Sequence, residues 1–220
     1  MIDIADLEFR RAGGFRLAVP ALTIADGEKV AVVGPSGTGK TTLLNLMAGL
    51  LLPDAGRVTV GGVAVSTLSA SQRRAFRARY IGQVFQDFEL VDYLSAAENI
   101  LYPCRISPFL PVTSDLRQRA KTLARDMGVE DRLARKPAAL SQGEQQRIAI
   151  CRALLAEPPL ILADEPTGNL DPDNKDRILD ILFAQAAASG ATLVTVTHDH
   201  DLLPRFDRVV DFADFVRVAA

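Results

Sequence analysis

Two hydrophobic patterns divide the chain. Apolar and polar residues alternate over residues 1–33 and again over 57–65, with turn signals at Ala25-Asp26-Gly27 and Gly61-Gly62. Period-two alternation predicts half-buried strands, and several of them close in sequence predict an antiparallel layer. Three other runs are short and uncharged: residues 30–33 and 160–163, wholly apolar, and 192–197, apolar residues mixed with threonines. Such runs predict strands buried on both faces, as in a parallel sheet. From residue 87 to about 156 the period changes to that of a helix. Leu116, Ala120, Leu123, Ala124 and Met127 recur at helical spacing, with Gly128 placed to cap the end. Pro172 opens a further helix carrying Ile178, Ile181 and Leu182, and Gly190 closes it. Strand–helix–strand on either side of a helical stretch predicts a single α/β domain. Its core would take residues 1–86 and 157–220, and a helical insert residues 87–156. No repeat or low-complexity segment interrupts it.

The chemistry begins just after the first buried run. Residues 34–42 read GPSGTGKTT. The spacing of Gly34, Gly39, Lys40 and Thr41 fits G-x-x-x-x-G-K-[ST]. Gly34, Gly37 and Gly39 let the backbone curl so that N–H groups point inward at phosphate oxygens. Pro35, Ser36, Thr38 and Thr42 complete the loop. Leu43, Leu44 and Leu46 start a helix behind it, whose N-terminus favours anions. Lys40 is placed to reach β- and γ-phosphates, and the Thr41 hydroxyl to ligate Mg2+. The second buried run ends in Asp164 and Glu165. Neighbouring side chains on a strand point opposite ways, so these carboxylates take different tasks. Asp164 suits a hydrated Mg2+ and Glu165 a general base for the attacking water.

Residues 140–155 read LSQGEQQRIAICRALL. Ser141 and Glu144 form a capping box, and Ile148, Cys151, Leu154 and Leu155 an apolar stripe behind it. A capped N-terminus still presents free donors, so Ser141 and the N–H of Gly143 read as a second anion site.

At this point the chain resembles the ATP-binding cassette (ABC) ATPases, whose signature reads L-S-G-G-[QE] and precedes the metal strand as it does here. The resemblance runs nearly end to end. It implies an α/β fold: a P-loop NTPase core with an antiparallel β layer and a helical subdomain insert. It implies that Gln86 senses the γ-phosphate and joins Thr41 and Asp164 at the metal, and that His198 is the switch histidine. Glu144 falls within the nucleotide-binding signature. Ser141, Gln142, Gly143, Asn169, Leu170 and Asp171 would form the interface with a second copy, each ATP lying between one chain's Lys40 and the other's Ser141 and Gly143. The run ADEPTGNLD is most similar to the branch of lipoprotein-releasing, macrolide-exporting and cell-division ATPases. Two positions depart from the family. Its first signature glycine is Gln142 here, and its base-stacking aromatic falls near Arg11 and Ala12. Phe9 or Phe15 could substitute, although Phe15 also heads an alternating run with Leu17 and Val19 that predicts a core-facing role.

Composition narrows the partners. The chain has 220 residues, 48% of them apolar, and a formal net charge of -2. That length buries about 70% of the unfolded surface. Near-neutral charge argues against nucleic acid as the main partner, for which a basic stripe is expected. Arg73, Arg74, Arg77 and Arg79 read as a solvated helix face. Cys104 and Cys151 make no metal or redox spacing and fit a reducing compartment. Residues 43–52 are the longest apolar stretch and fall far short of a membrane span. The first residues lack a signal-peptide pattern. The resemblance therefore implies a cytoplasmic chain, peripheral on the inner face of the membrane through a separate integral permease subunit. The permease would dock near residues 87–111, where Phe88, Leu90, Tyr93, Leu94, Phe109 and Leu110 cluster, a pattern that packing of the helical insert onto the core explains equally well. The alternative is a soluble or regulatory ATPase of the same family that acts on a membrane or cell-wall machine without transport.

Overall fold

A computed structural model describes residues 1–11, 13–168, 170 and 172–215. Among these residues the chain runs β1 (Ile2–Arg11), β2 (Phe15–Ile24), β3 (Lys29–Val33), α1 (Lys40–Met47), β4 (Ala55–Val60), β5 (Val63–Ala64), α2 (Ala70–Tyr80) and β6 (Ile81–Val84). It continues through α3 (Ala96–Ile106), α4 (Ser114–Asp126), α5 (Gln142–Leu154), β7 (Leu160–Asp164), α6 (Pro172–Ser189), β8 (Thr192–Val196) and β9 (Arg208–Asp211).

The continuous apolar runs form the central sheet. Its order is β6-β7-β8-β3-β9, and all its strand pairs are parallel. β7 and β8 are buried at every position, which is why their sequence does not alternate. The two faces still separate with period two. Leu160 and Leu162 of β7, Val30 and Val32 of β3, and Val194 and Val196 of β8 enter one core. Ile161 and Ala163, Ala31, and Leu193 enter the other. Burying each leucine or valine contributes about 1.5–3 kcal/mol.

The alternating segments form the second sheet, β2-β1-β4-β5, entirely antiparallel. Its inner face packs Ile4, Leu17, Val19 and Val58 over α1, whose Leu43, Leu46 and Met47 fill the space to the parallel sheet. On the opposite face, Ile100 of α3, Leu123 of α4, Ile148 of α5 and Leu182 of α6 share one core. Within residues 87–156 the regular elements are α3, α4, α5 and two short 3-10 turns. Capping boxes start α2 at Ser69, α3 at Ser95 and α5 at Ser141. Cys104 and Cys151 are both buried free thiols, and burial pushes both up in pKa.

The arginines of α2 do more than face solvent. Arg73 donates to Leu68 O at 2.6 Å, Arg77 to Gly49 O at 2.9 Å, and Arg79 lies 5.0 Å over the ring of Phe109. A sequence pattern registers the charge of such residues but not the carbonyls that the fold brings to them. Among the described residues, no helix is long and apolar enough to cross a membrane.

Candidate active site

The carboxyl ends of parallel strands share one edge of the sheet, where ligands sit in such folds. Here β3 delivers residues 34–39, β6 delivers Gln86, β7 delivers Asp164 and Glu165, and β8 delivers His198. The loop after β3 passes through left-handed backbone at Gly37 (φ 79°) and Gly39 (φ 108°). At Gly39 a Cβ would also lie 2.6 Å from the ring of Phe15. Only glycine meets both demands while opening α1. Thr38 Oγ1 donates to Pro35 O at 2.8 Å and tightens the turn.

The N-terminus of α1 opens on a cavity of about 440 Å³. One wall is Ser36, Gly37, Gly39, Lys40, Thr41 and Thr42, and the other is Gln86, Asp164 and Glu165. Arg11 and Phe15 border it. Phe15 is half-buried, packed on the core yet facing the cavity, whereas Phe9 is buried. Ala12 lies outside the described residues. Lys40 is buried, and its Nζ donates to Gly34 O at 2.7 Å and Pro35 O at 2.9 Å. Phosphate oxygens would compete for that ammonium with stronger, charge-assisted bonds.

The Thr41 hydroxyl and the Asp164 carboxylate line the same cavity. Burial holds the Asp164 carboxyl above the usual carboxylate range; the Thr41 hydroxyl and Lys40 oppose the shift, while Glu165 and Asp87 reinforce it. A buried carboxylate, a hydroxyl and the Gln86 amide on one cavity are a hard oxygen donor set that fits Mg2+.

Glu165 sits in left-handed backbone at φ 51°, uncommon outside glycine. Its N–H donates to Val196 O at 3.0 Å, and its carbonyl accepts from Gln146 Nε2 at 3.0 Å and Gly168 N at 3.1 Å. Its Oε2 lies 2.8 Å from His198 Nδ1. The Glu165 side chain is 16% exposed and that of His198 71%, so the imidazole projects into solvent from an anchored carboxylate. His200 is exposed and stands apart from this pair.

The loop that carries Gln86 is held from α5. Arg152 donates to Phe88 O and Glu89 O, each at 2.5 Å, and its guanidinium lies 5.9 Å over the Phe85 ring. Both carbonyls belong to left-handed residues, Phe88 at φ 62° and Glu89 at φ 50°. Burial pushes the Arg152 guanidinium down to about 10.

The other end of α5 is built differently. Ser141 and Gln142 are exposed. Ser141 N donates to Glu144 Oε2 at 2.8 Å, and Glu144 N donates back to Ser141 Oγ at 3.2 Å. Glu144 is further bound by Arg132 at 2.6 Å, so its carboxylate is engaged within the helix cap. Gly143 lies under Leu170, whose Cδ2 would be 3.1 Å from an added Cβ. Among the described residues, none of Ser141, Gln142, Gly143 and Glu144 lines the 440 Å³ cavity. Leu170 packs on the helical core, and Asn169 and Asp171 lie outside the described residues.

A second, larger groove of about 620 Å³ opens between α2, the end of α3, β6 and α5. Its floor includes Phe85, Cys104, Phe109, Leu110 and Leu155. Arg74, Arg77 and Arg152 line it and, among the described residues, no carboxylate does. Of the residues expected to meet a partner, Phe109 and Leu110 are in this groove. Leu90 packs on the helical core, and Tyr93 is exposed.

A glycine loop opening a helix from a parallel strand, facing an acidic pair at a neighbouring strand end, defines a P-loop nucleoside triphosphatase. The chain belongs to the ABC transporter family, which it matches over residues 17–168. It is 45% identical over 194 residues to the lipoprotein-releasing system ATP-binding protein LolD of Maricaulis maris, covering 88% of this chain and 84% of that one. To LolD of Bacteroides fragilis it is 42% identical over 193 residues, covering 88% of each. Its fold superposes with a TM-score of 0.88 on a dimeric post-hydrolysis state of the ATP-binding cassette MJ0796 bound to ADP and Pi, at 34% identity, covering 96% of this chain and 94% of that one.

Proposed function

We propose that this chain is the ATP-hydrolysing subunit of an ABC transporter for lipoprotein release, working as an ATP-sandwich pair beneath a separate membrane subunit. Its relatives' names supply the cargo class, and its site supports the chemistry. The observation that carries the reading is the wall of Gln86, Asp164 and Glu165, with His198 2.8 Å from Glu165, facing the glycine loop with Lys40 and Thr41 across one cavity. The loop and Lys40 bind the phosphates. Thr41 and Asp164, with Gln86, would hold Mg2+, which would offset phosphate charge. Glu165 takes the proton of the attacking water, and the adjacent His198 keeps that carboxylate oriented toward the γ-phosphate. Ser141 and Gly143 lie outside the cavity and serve the nucleotide of a second copy, so both chains are needed to enclose each ATP.

ATP is a cytoplasmic substrate, which puts the chain on the cytoplasmic face of the membrane, held there by its partner. The 620 Å³ groove is the docking place that fits such a partner. Its apolar floor, with Arg74, Arg77 and Arg152 lining it and no carboxylate among the described residues there, suits a short amphipathic helix carrying acidic residues.

Glu165→Gln tests the site. The expected chain binds ATP, hydrolyses it roughly 10²- to 10⁴-fold more slowly in a phosphate-release assay, and accumulates as an ATP-dependent dimer on gel filtration. Full hydrolysis by that variant would remove Glu165 as the base.

A further inference from the structure

Gln146 lies one turn into α5 and is 1% exposed. A glutamine on a helix is ordinarily solvated, because burying its amide without partners is costly. Among the described residues this one makes a single side-chain bond, Nε2 to Glu165 O at 3.0 Å, and its Oε1 is buried with no partner. The acceptor is a carbonyl, so the amide must turn its NH₂ toward it and leave the oxygen unsatisfied. An orphaned buried acceptor costs about 1–3 kcal/mol. An apolar side chain of the same shape would avoid that cost, so the arrangement is poor as packing and informative as positioning.

The carbonyl it holds belongs to the left-handed residue that carries the base. Strained backbone of this kind persists only where neighbours over-determine it. Of the bonds that hold the Glu165 backbone, those to Val196 and Gly168 come from its own strand layer and turn, and the Gln146 bond alone comes from α5. The same helix begins at the exposed turn of Ser141 and Gln142.

We propose that Gln146 is a positioning residue for Glu165. It ties the backbone of the base in one site to the helix whose first turn meets the nucleotide of the other, so that engagement of α5 across the dimer sets the base. The coupling across the dimer rests on the ATP-sandwich reading above.

Gln146→Met keeps shape and removes both the bond and the orphaned oxygen. The expected chain melts at the same temperature or higher, keeps its KM for ATP, and loses kcat by roughly 10- to 100-fold, as small misplacements of a reacting group do. In the Glu165→Gln background, the same change should leave ATP-driven dimerisation intact. Gln146→Glu supplies the second readout. The introduced carboxyl donates to the Glu165 carbonyl only when protonated, so its kcat relative to the native chain should rise as pH falls. Unchanged kcat in a folded Gln146→Met chain overturns the proposal. So does a kcat loss matched by an equal loss of ATP-driven dimer, or a Gln146→Glu profile parallel to the native one. Failure of the Glu165→Gln parent itself to dimerise would overturn the ATP-sandwich reading and the coupling with it, while the kcat and pH readouts would still decide whether Gln146 positions Glu165.

Discussion

The phosphate cradle and the first turn of α5 are both helix N-termini built to attract anions, yet they differ in nearly every physical respect. The cradle lines a cavity and buries its lysine, although Ser36, Gly37 and Thr41 are themselves exposed. Lys40 is buried against loop carbonyls, Thr41 shares the cavity with Asp164, and Phe15 covers Gly39. At α5, Ser141 and Gln142 are exposed, and the capping box uses the donors that a single chain can satisfy. The cradle can therefore hold its ligand alone, whereas the α5 turn is a surface that needs one brought to it. On the proposed reading, a chain that carries both makes nucleotide the contact between two copies.

Changes in the cradle should act on one chain, and changes at α5 only on the pair. The largest effect is expected for Lys40→Met. It removes the buried cation and should weaken ATP binding by at least ~100-fold, since each lost bond to a charged group costs about 1.5–3 kcal/mol. Equilibrium binding of a fluorescent ATP analogue would show this. Ser141→Ala should leave that binding unchanged and reduce steady-state hydrolysis by roughly 10- to 100-fold, the equivalent of one charge-assisted bond. It also removes a helix cap worth about 0.5–2 kcal/mol, so melting must be followed alongside the rate. Weakened binding to the isolated chain would break the comparison.

A smaller effect should appear in stability. The Asp164 carboxyl is held above its usual range, mainly by burial. Its charged form is therefore disfavoured by folding, a penalty present above the folded pKa and relieved as pH falls below the unfolded one. Asp164→Asn removes that charge and should raise the melting temperature of the nucleotide-free chain at neutral pH. That gain should shrink toward acidic pH while hydrolysis is lost throughout. A gain independent of pH would point to packing. The smallest effect is expected at Gln142, exposed at the first helical position. Gln142→Gly should cost at most about 1 kcal/mol of helix stability and change hydrolysis less than Ser141→Ala does. A larger loss would make the Gln142 amide a required donor.

Much of this was legible in the sequence because the chemistry or the packing demanded particular residues. Residues 30–33, 160–163 and 192–197 announced buried strands since both faces of β3, β7 and β8 meet a core. The capping box at Ser141 was legible because its partners lie three residues apart. What escaped depends on contacts distant in sequence. The alternation of Phe15, Leu17 and Val19 predicted a core-facing ring, and Phe15 does pack on the core. It stands at the end of β2, however, where the sheet brings it over Gly39. Gln146 and Arg152 are polar residues on an amphipathic helix, which a pattern assigns to solvent. Their partners, Glu165 O and the carbonyls of Phe88 and Glu89, are 19 and about 63 residues away. β9 is a four-residue edge strand with two charged ends, too short for its period to be read.

The two buried thiols have a practical consequence. With Cys104 and Cys151 both sequestered and shifted away from the reactive thiolate, thiol probes would find little to modify in the native fold. A cysteine introduced at exposed Ser71, on the rim of the arginine-lined groove, would then be the principal labelling site. A single dye placed there could report, in the otherwise unaltered chain, when the groove fills and whether it does so before or after ATP arrives.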